Sequence, residues 1–319
     1  MTATITSSPS KIILFGEHAV VYGKPAIAIP VRERTAKVKI FPKIGDMNGK
    51  ILFKAPQINF EKAFDQIDDN HPFRLAVKLV TNHLKLNVYP ACQIQIGSTI
   101  PLSSGMGSSA AIAVALINAL FQFVGYSPNE QELAEFAYQL EIINHGTPSG
   151  IDNTVIAYNK PLFFQQNKPP QFLQPGKEYQ FLIAESGIDR DTKTALKSVR
   201  EKWGQDQYYH QSIFEKIGTI ATKARTDFES GNLASLGKLM IENQYLLHEL
   251  GVSHPKLEAL VSLAMDLGAS GAKLSGGGLG GIIIILTNDE TDPELSYKLI
   301  EHGASDCFPV SVRRETLNE

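Results

Sequence analysis

Three short stretches of this chain combine residue types that an ordinary core does not need. The first is PLSSGMGSSAAIAVAL, Pro101–Leu116, in which Gly105, Gly107 and four serines run straight into small apolar residues. A strand-like run, CQIQIGSTI, precedes it, so the stretch is a loop that opens a helix. Such a loop has two readings. It is a serine-capped helix start, or it is a phosphate cradle: the first backbone N–H groups of a helix lack intrahelical partners, and the helix dipole places partial positive charge there. Gly105 and Gly107 would let a polyphosphate approach the backbone, and Ser108 and Ser109 offer hydroxyls to a phosphate or a magnesium ion. The stretch alone leaves both open.

In the second stretch, KIILFGEHAVVYGKPAIAIPV (Lys11–Val31), Gly16, Glu17 and His18 interrupt a hydrophobic run, and Lys11 starts the strand. Taken singly, a histidine there fits a core position and a lysine fits a solvated strand edge. The third is EIINHGTPSGIDNTVIAY (Glu141–Tyr158). Glu141 lies near the end of a helical pattern; Gly146, Pro148 and Gly150 force a turn; Asp152 follows at once, in what reads as an apolar strand, IDNTVIAY. An acid delivered by a rigid turn is a general base or a metal ligand, or it simply caps the turn.

Two other phosphate-loop templates fail. No G-x-x-x-x-G-K-[ST] run exists. A G-x-G-x-x-G match occurs at Gly276, Gly278 and Gly281 within SGGGLGG, but the residues after it are IIIIL, a strand and not a helix, so a Rossmann reading is rejected.

The elements that must carry these residues mix strands and helices. KIILF, Thr35–Phe41 (TAKVKIF), Cys92–Ile100, YQFLIAES, AKLS, GIIIIL and CFPVSVR read as strands, with ILFKA a weaker one. PFRLAVKLVTNHL puts Phe73, Ala76, Val77, Val80 and Leu84 on one helical face. Further helices are expected from Ser127 to about Asn144, at Lys193–Lys202, Gln211–Glu229 and Leu233–Leu250, from HPKLEALVSLAMD up to Gly268, and around Asp292–Glu301. Cys92 follows the inward phase of its strand and reads as a core residue. The mixture favours α+β over a doubly wound sheet.

At 319 residues the chain exceeds what one core usually supports, so two domains are expected. The Pro-, Gln- and Lys-rich segment Asn159–Glu178 is the best junction, giving domains 1–165 and 178–319. A net charge of -3 speaks against nucleic-acid or anionic-membrane partners. Two distant cysteines imply neither a disulfide framework nor a zinc site. MTATITSSPSK lacks the apolar core of a signal peptide, and no apolar run approaches the roughly 20 residues of a membrane span. The expected setting is cytoplasmic.

Taken together and in order, these motifs resemble the GHMP kinase superfamily, whose central signature P-x-x-x-G-[L/M]-G-S-S-A reads here Pro101, Gly105, Met106, Gly107, Ser108, Ser109, Ala110. KIILFGEHAVVYGKPA, HGTPSGIDN, GVSHPKLEAL and GAKLSGGGLGG make the mevalonate kinase branch the nearest likeness, and the five blocks span nearly the whole chain. Galactokinases typically carry an Asp-Tyr pair where Ala19 and Val20 follow His18, and homoserine kinases lack the G-E-H-A-V-V-Y-G block. Met106 for leucine and SGGGLGG for the commoner Thr-Gly-Ala-Gly are minor departures.

The resemblance implies an N-terminal domain of the ribosomal-protein-S5-like type and a C-terminal ferredoxin-like domain, with ATP in the cleft between them. It places the phosphates on Pro101, Ser104, Gly105, Met106, Gly107, Ser108, Ser109 and Ala110, with Gly276, Gly277 and Gly278 closing over the nucleotide. It makes Asp152 the catalytic base and Lys11 its electrostatic partner. Glu141 and Ser109 become ligands of Mg2+, with Ser108 the adjacent alternative. Glu17 and His18, with Lys11 and Asp152, line the acceptor site for mevalonate. The alternatives are a sibling kinase acting on a sugar or on phosphomevalonate, and a non-catalytic nucleotide sensor; a homodimer stays open.

Overall fold

The computed structural model of the chain describes residues 3–43, 50–101, 104–145, 148–189, 192–288 and 293–314. Its first strand, β1 (Thr4–Phe15), starts well before the apolar run at Lys11. The polar arm belongs to the strand because its alternate residues Thr6, Ser8 and Ser10 turn inward and are buried. Thr6 donates its hydroxyl to the Ala115 carbonyl at 2.7 Å, so the inward oxygen finds a partner. A strand whose core face is Ser and Thr leaves no apolar alternation to read. The next strand, β2 (Ala26–Pro42), likewise extends far beyond Thr35–Phe41.

The chain folds as two compact units: Met1–Lys11, Pro30–Pro101 and Gly107–Asn159 form one, and Ile12–Ile29, Leu102–Met106 and Lys160–Glu319 the other. In the first, β3 (Ile51–Ala55), β4 (Phe60–Ala63) and β5 (Cys92–Ser98) join β2 in the order β4-β3-β5-β2. β3 and β5 are parallel, which requires a crossover, and α1 (Pro72–His83) lies in it; its Phe73, Ala76, Val77 and Val80 are buried, as their spacing predicts. Cys92 is fully buried, and that burial pushes its thiol up to about 12. α2 (Ser108–Phe123) is buried on most sides, which suits its run of small apolar residues.

α3 (Glu130–His145) packs on α2 and on α4 (Ile151–Tyr158). The last is a correction: IDNTVIAY is a helix, not a strand. Gly150 takes φ 88 and serves as its N-cap, and Asn153 donates to the Ala134 carbonyl of α3 at 2.9 Å. The buried Ile151, Val155 and Ile156 recur at helical spacing, but an octamer this apolar fits either period. Gly146, expected in the preceding turn, lies outside the described residues.

In the second unit the junction segment carries two short strands, β6 (Leu162–Phe164) and β7 (Gln171–Phe172), and β6 pairs with Ala26–Ala28 of β2. Four strands, β8 (Tyr179–Glu185), β9 (Gly271–Ser275), β10 (Ile282–Thr287) and β11 (Asp306–Val312), form an antiparallel sheet in the order β11-β8-β10-β9. Helices α5 (Thr192–Gln205), α6 (Gln207–Ser230), α7 (Leu233–Glu249) and α8 (Pro255–Asp266) separate β8 from β9, and α9 (Pro293–Glu301) separates β10 from β11. That is the ferredoxin-like arrangement, with the first and third strands central. Ile282–Leu286 of β10 are fully buried, as an unbroken apolar strand must be. Among the described residues no helix is long and apolar enough to cross a membrane.

The inward face of the first strand can be tested. Thr6→Val keeps the shape and removes the donor, so it should lower the unfolding free energy by about 1 kcal/mol in urea titration. An unchanged midpoint would mean that the hydroxyl contributes nothing.

Candidate active site

Lys11 and Asp152 meet in the first unit. The Lys11 side chain on β1 is only 3% exposed, and its Nζ lies 3.1 Å from Oδ1 of Asp152, whose side chain remains 34% exposed. A buried cation is thus paired with a carboxylate still open to a ligand. Asp152 sits in the first turn of α4, where the positive end of the helix dipole favours an anion. Lysine was expected at the start of a strand; here it lies deep within one, because the polar arm extends β1.

Gly107 ties this pair to the phosphate-loop stretch. It is the N-cap of α2 and takes φ 73. A Cβ built on it would lie 3.0 Å from Cγ of Lys11 and 3.1 Å from Cδ1 of Ile156 on α4. The lysine stem therefore passes through the space that a side chain would fill. The helix start itself bears on one of the two readings of Pro101–Ala110. The N-cap is a glycine and makes no side-chain cap bond, so the serine-capped start is excluded. Ser108 and Ser109 are the first two helical residues, half-buried, and Ala110 is fully buried behind them. The first backbone N–H groups of such a helix have no intrahelical partner, and the positive end of the dipole lies there.

The approach to this helix start has its own geometry. Pro101 is half-buried, Ser104 is buried with Oγ accepting from the Met106 N–H at 3.4 Å, Gly105 takes φ 81, and Met106 is fully buried. Leu102 and Ser103 lie outside the described residues.

Glu141 sits on α3, 4% exposed. No group of three His, Cys, Asp or Glu among the described residues could hold a metal ion by itself. One buried carboxylate with a serine hydroxyl from Ser109 or Ser108 is instead a hard-oxygen donor set that suits Mg2+, which usually takes one or two carboxylates and fills its shell with substrate phosphates and water.

The remaining candidates lie in the second unit. Glu17 is fully buried and ion-paired with Lys273 of β9, itself fully buried. Burial pulls the Lys273 ammonium below the ordinary lysine range, while the Glu17 charge opposes that shift. His18 is 4% exposed, and its Nε2 bonds the Gly277 carbonyl at 3.1 Å. Gly276, Gly277 and Gly278 belong to the tight connection from β9 to β10, with positive φ at Gly276 and Gly278, so the rejected dinucleotide fingerprint indeed opens no helix. Sequence reasoning missed Lys273. The available signal was a lysine inside AKLS, in a strand followed by a glycine cluster and an all-apolar strand.

The crowding at Gly107 yields a direct check. Gly107→Ala adds a Cβ at positive φ against Lys11, so it should destabilise the chain by about 1 kcal/mol or more, a fall of roughly 3 °C in Tm. An unchanged melting curve would show that the turn has room to spare.

Two family models match, "GHMP kinases N terminal domain" over residues 70–160 and "GHMP kinases C terminal" over 224–304. The Pyrococcus horikoshii mevalonate kinase is 35% identical over 298 residues, covering 88% of each chain. Among solved structures, the Methanococcus jannaschii mevalonate kinase matches with a TM-score of 0.83 at 28% identity, over 99% of both chains. The L. major mevalonate kinase, solved in complex with R-mevalonate, matches with a TM-score of 0.77 at 26% identity, over 99% of this chain and 97% of that one. The motifs, the helix start at Gly107 and the Lys11–Asp152 pair thus stand within a likeness that runs almost end to end: the chain belongs to the GHMP kinase family, in its mevalonate kinase branch.

Proposed function

We propose that the chain transfers the γ-phosphoryl group of ATP to the 5-hydroxyl of (R)-mevalonate, giving ADP and 5-phosphomevalonate. The observation that carries this reading is the Lys11–Asp152 contact at 3.1 Å, with Gly107 at the start of α2 packed over the lysine stem. Phosphoryl transfer asks the protein for positioning, charge neutralisation and a group to receive the hydroxyl proton. Asp152 receives the proton, since its carboxylate is open on one side. Lys11 holds that carboxylate in place and presents positive charge where negative charge develops on the attacking oxygen. The N–H groups that follow Gly107 take the phosphate oxygens.

Magnesium, when bound, neutralises charge on the β- and γ-phosphate oxygens; Glu141 and the hydroxyl of Ser109, with Ser108 beside it, are the residues that would hold it. Pro101, Ser104, Gly105 and Met106 shape the approach to the phosphates, and Gly276, Gly277 and Gly278 are assigned to the nucleotide. His18 and Glu17 are assigned to the acceptor. Mevalonate as that acceptor is supported by the names of the close relatives and by the R-mevalonate complex of one of them. A cytoplasmic setting belongs to the same proposal, because donor and acceptor are both small hydrophilic anions.

Three measurements test it. In a coupled ADP-release assay over mevalonate, phosphomevalonate, galactose and homoserine, mevalonate should give the highest kcat/KM; a sibling acceptor in first place would overturn the substrate, and no turnover with any would favour a sensor. Asp152→Asn should lower kcat by at least about a hundredfold with ATP binding largely kept, whereas near-normal turnover would remove Asp152 as the base. Glu141→Gln should raise the magnesium concentration needed for half-maximal rate, and a titration that superimposes on the parent would argue against a metal role.

A further inference from the structure

His18 sits in an unusual backbone state. It has φ 60 and ψ −49, and the Ala19 N–H donates across it to the Glu17 carbonyl at 2.6 Å. This is a three-residue turn in its rare positive-φ form, which is strained for any residue with a Cβ. Strain of this kind persists only where the surroundings over-determine it.

The surroundings here are alternate residues of one strand and the loop that continues it. Lys273 Nζ is ion-paired with Oε1 of Glu17 and donates to the Leu274 carbonyl at 2.6 Å. The Ser275 hydroxyl accepts from the Ile13 N–H at 3.1 Å and donates to the Ile13 carbonyl at 3.0 Å. The Gly277 carbonyl takes Nε2 of His18 at 3.1 Å. A carbonyl can only accept, so Nε2 carries the proton. Lys273, Ser275 and Gly277, at positions i, i+2 and i+4, thus hold Glu17, Ile13 and His18 respectively. The ion pair is fully buried on both sides, and a buried pair is a poor source of net stability.

We infer that Lys273 is a positioning residue for acceptor binding: through Glu17 it holds the strained turn that presents the His18 imidazole, locked in its Nε2–H form against the glycine loop. Glu17 then acts from inside, as the link between Lys273 and the turn. This inference rests on the assignment of His18 to the acceptor side, and it adds a role for a lysine that touches no reacting atom.

The test uses the full chain and the double variant Glu17→Gln/Lys273→Met, which removes both buried charges together. It should keep its Tm within about 5 °C of the parent and raise KM for mevalonate about tenfold or more, with KM for ATP within about twofold. Lys273→Arg, which keeps the charge but displaces it, should shift KM for mevalonate in the same direction. A mevalonate KM unchanged in whichever of these folds would overturn the inference. A second readout needs no turnover. In 15N-histidine NMR, with the His18 ring assigned through His18→Asn, the parent should show one Nε2–H tautomer and the folded Lys273 variants a tautomer mixture. If the parent fails to phosphorylate mevalonate, the functional reading falls while this spectrum still decides the role of Lys273; identical His18 signals in parent and variants would overturn it.

Discussion

A lysine whose side chain is 3% exposed must be given a counter-charge and a path for its stem, and in this chain both demands are met by motif residues. Burying an unpaired ammonium is expensive, so Asp152 has to be there. The stem needs room, so residue 107 must lack a side chain. Each requirement sets a helix start: α4 begins at Ile151 behind Gly150, and α2 begins at Ser108 behind Gly107. One ion pair therefore aligns a partly exposed carboxylate with the positive end of a second helix.

Much of this was legible, and for identifiable reasons. Motif residues at fixed spacing, from Pro101 to Ala110 and from Glu141 to Asp152, carry their chemistry whatever the secondary structure around them. The amphipathic face of α1 and the unbroken IIIIL of β10 were legible because burial on one side or on both writes a clear pattern. The failures have a common cause, in that residue type and period point apart. IDNTVIAY is apolar enough for a strand yet too short to display a helical period, and TITSSPS buries hydroxyls where a pattern reader looks for methyl groups. That the N-cap of α2 is Gly107 and not a serine is a matter of backbone geometry, which composition does not encode.

The second unit adds a different use of buried charge. Lys273 and Glu17 are both removed from water, and such a pair gains specificity of arrangement more readily than stability. It spends that specificity on a turn at His18 that the backbone would otherwise avoid. Nothing in AKLS alone marks the lysine as inward-facing. Only the pairing of β9 with β10, which seats Lys273 opposite Ile284, shows that the position is enclosed.

Transfer of a phosphoryl group to one specific oxygen of mevalonate is read by proton-coupled 31P NMR of the product mixture. A phosphate on the primary C5 oxygen couples to the two protons of the adjacent methylene and appears as a triplet. With transfer to C5, that triplet grows in step with ADP. An uncoupled monoester signal, as from the tertiary C3 oxygen, or inorganic phosphate alone would contradict it.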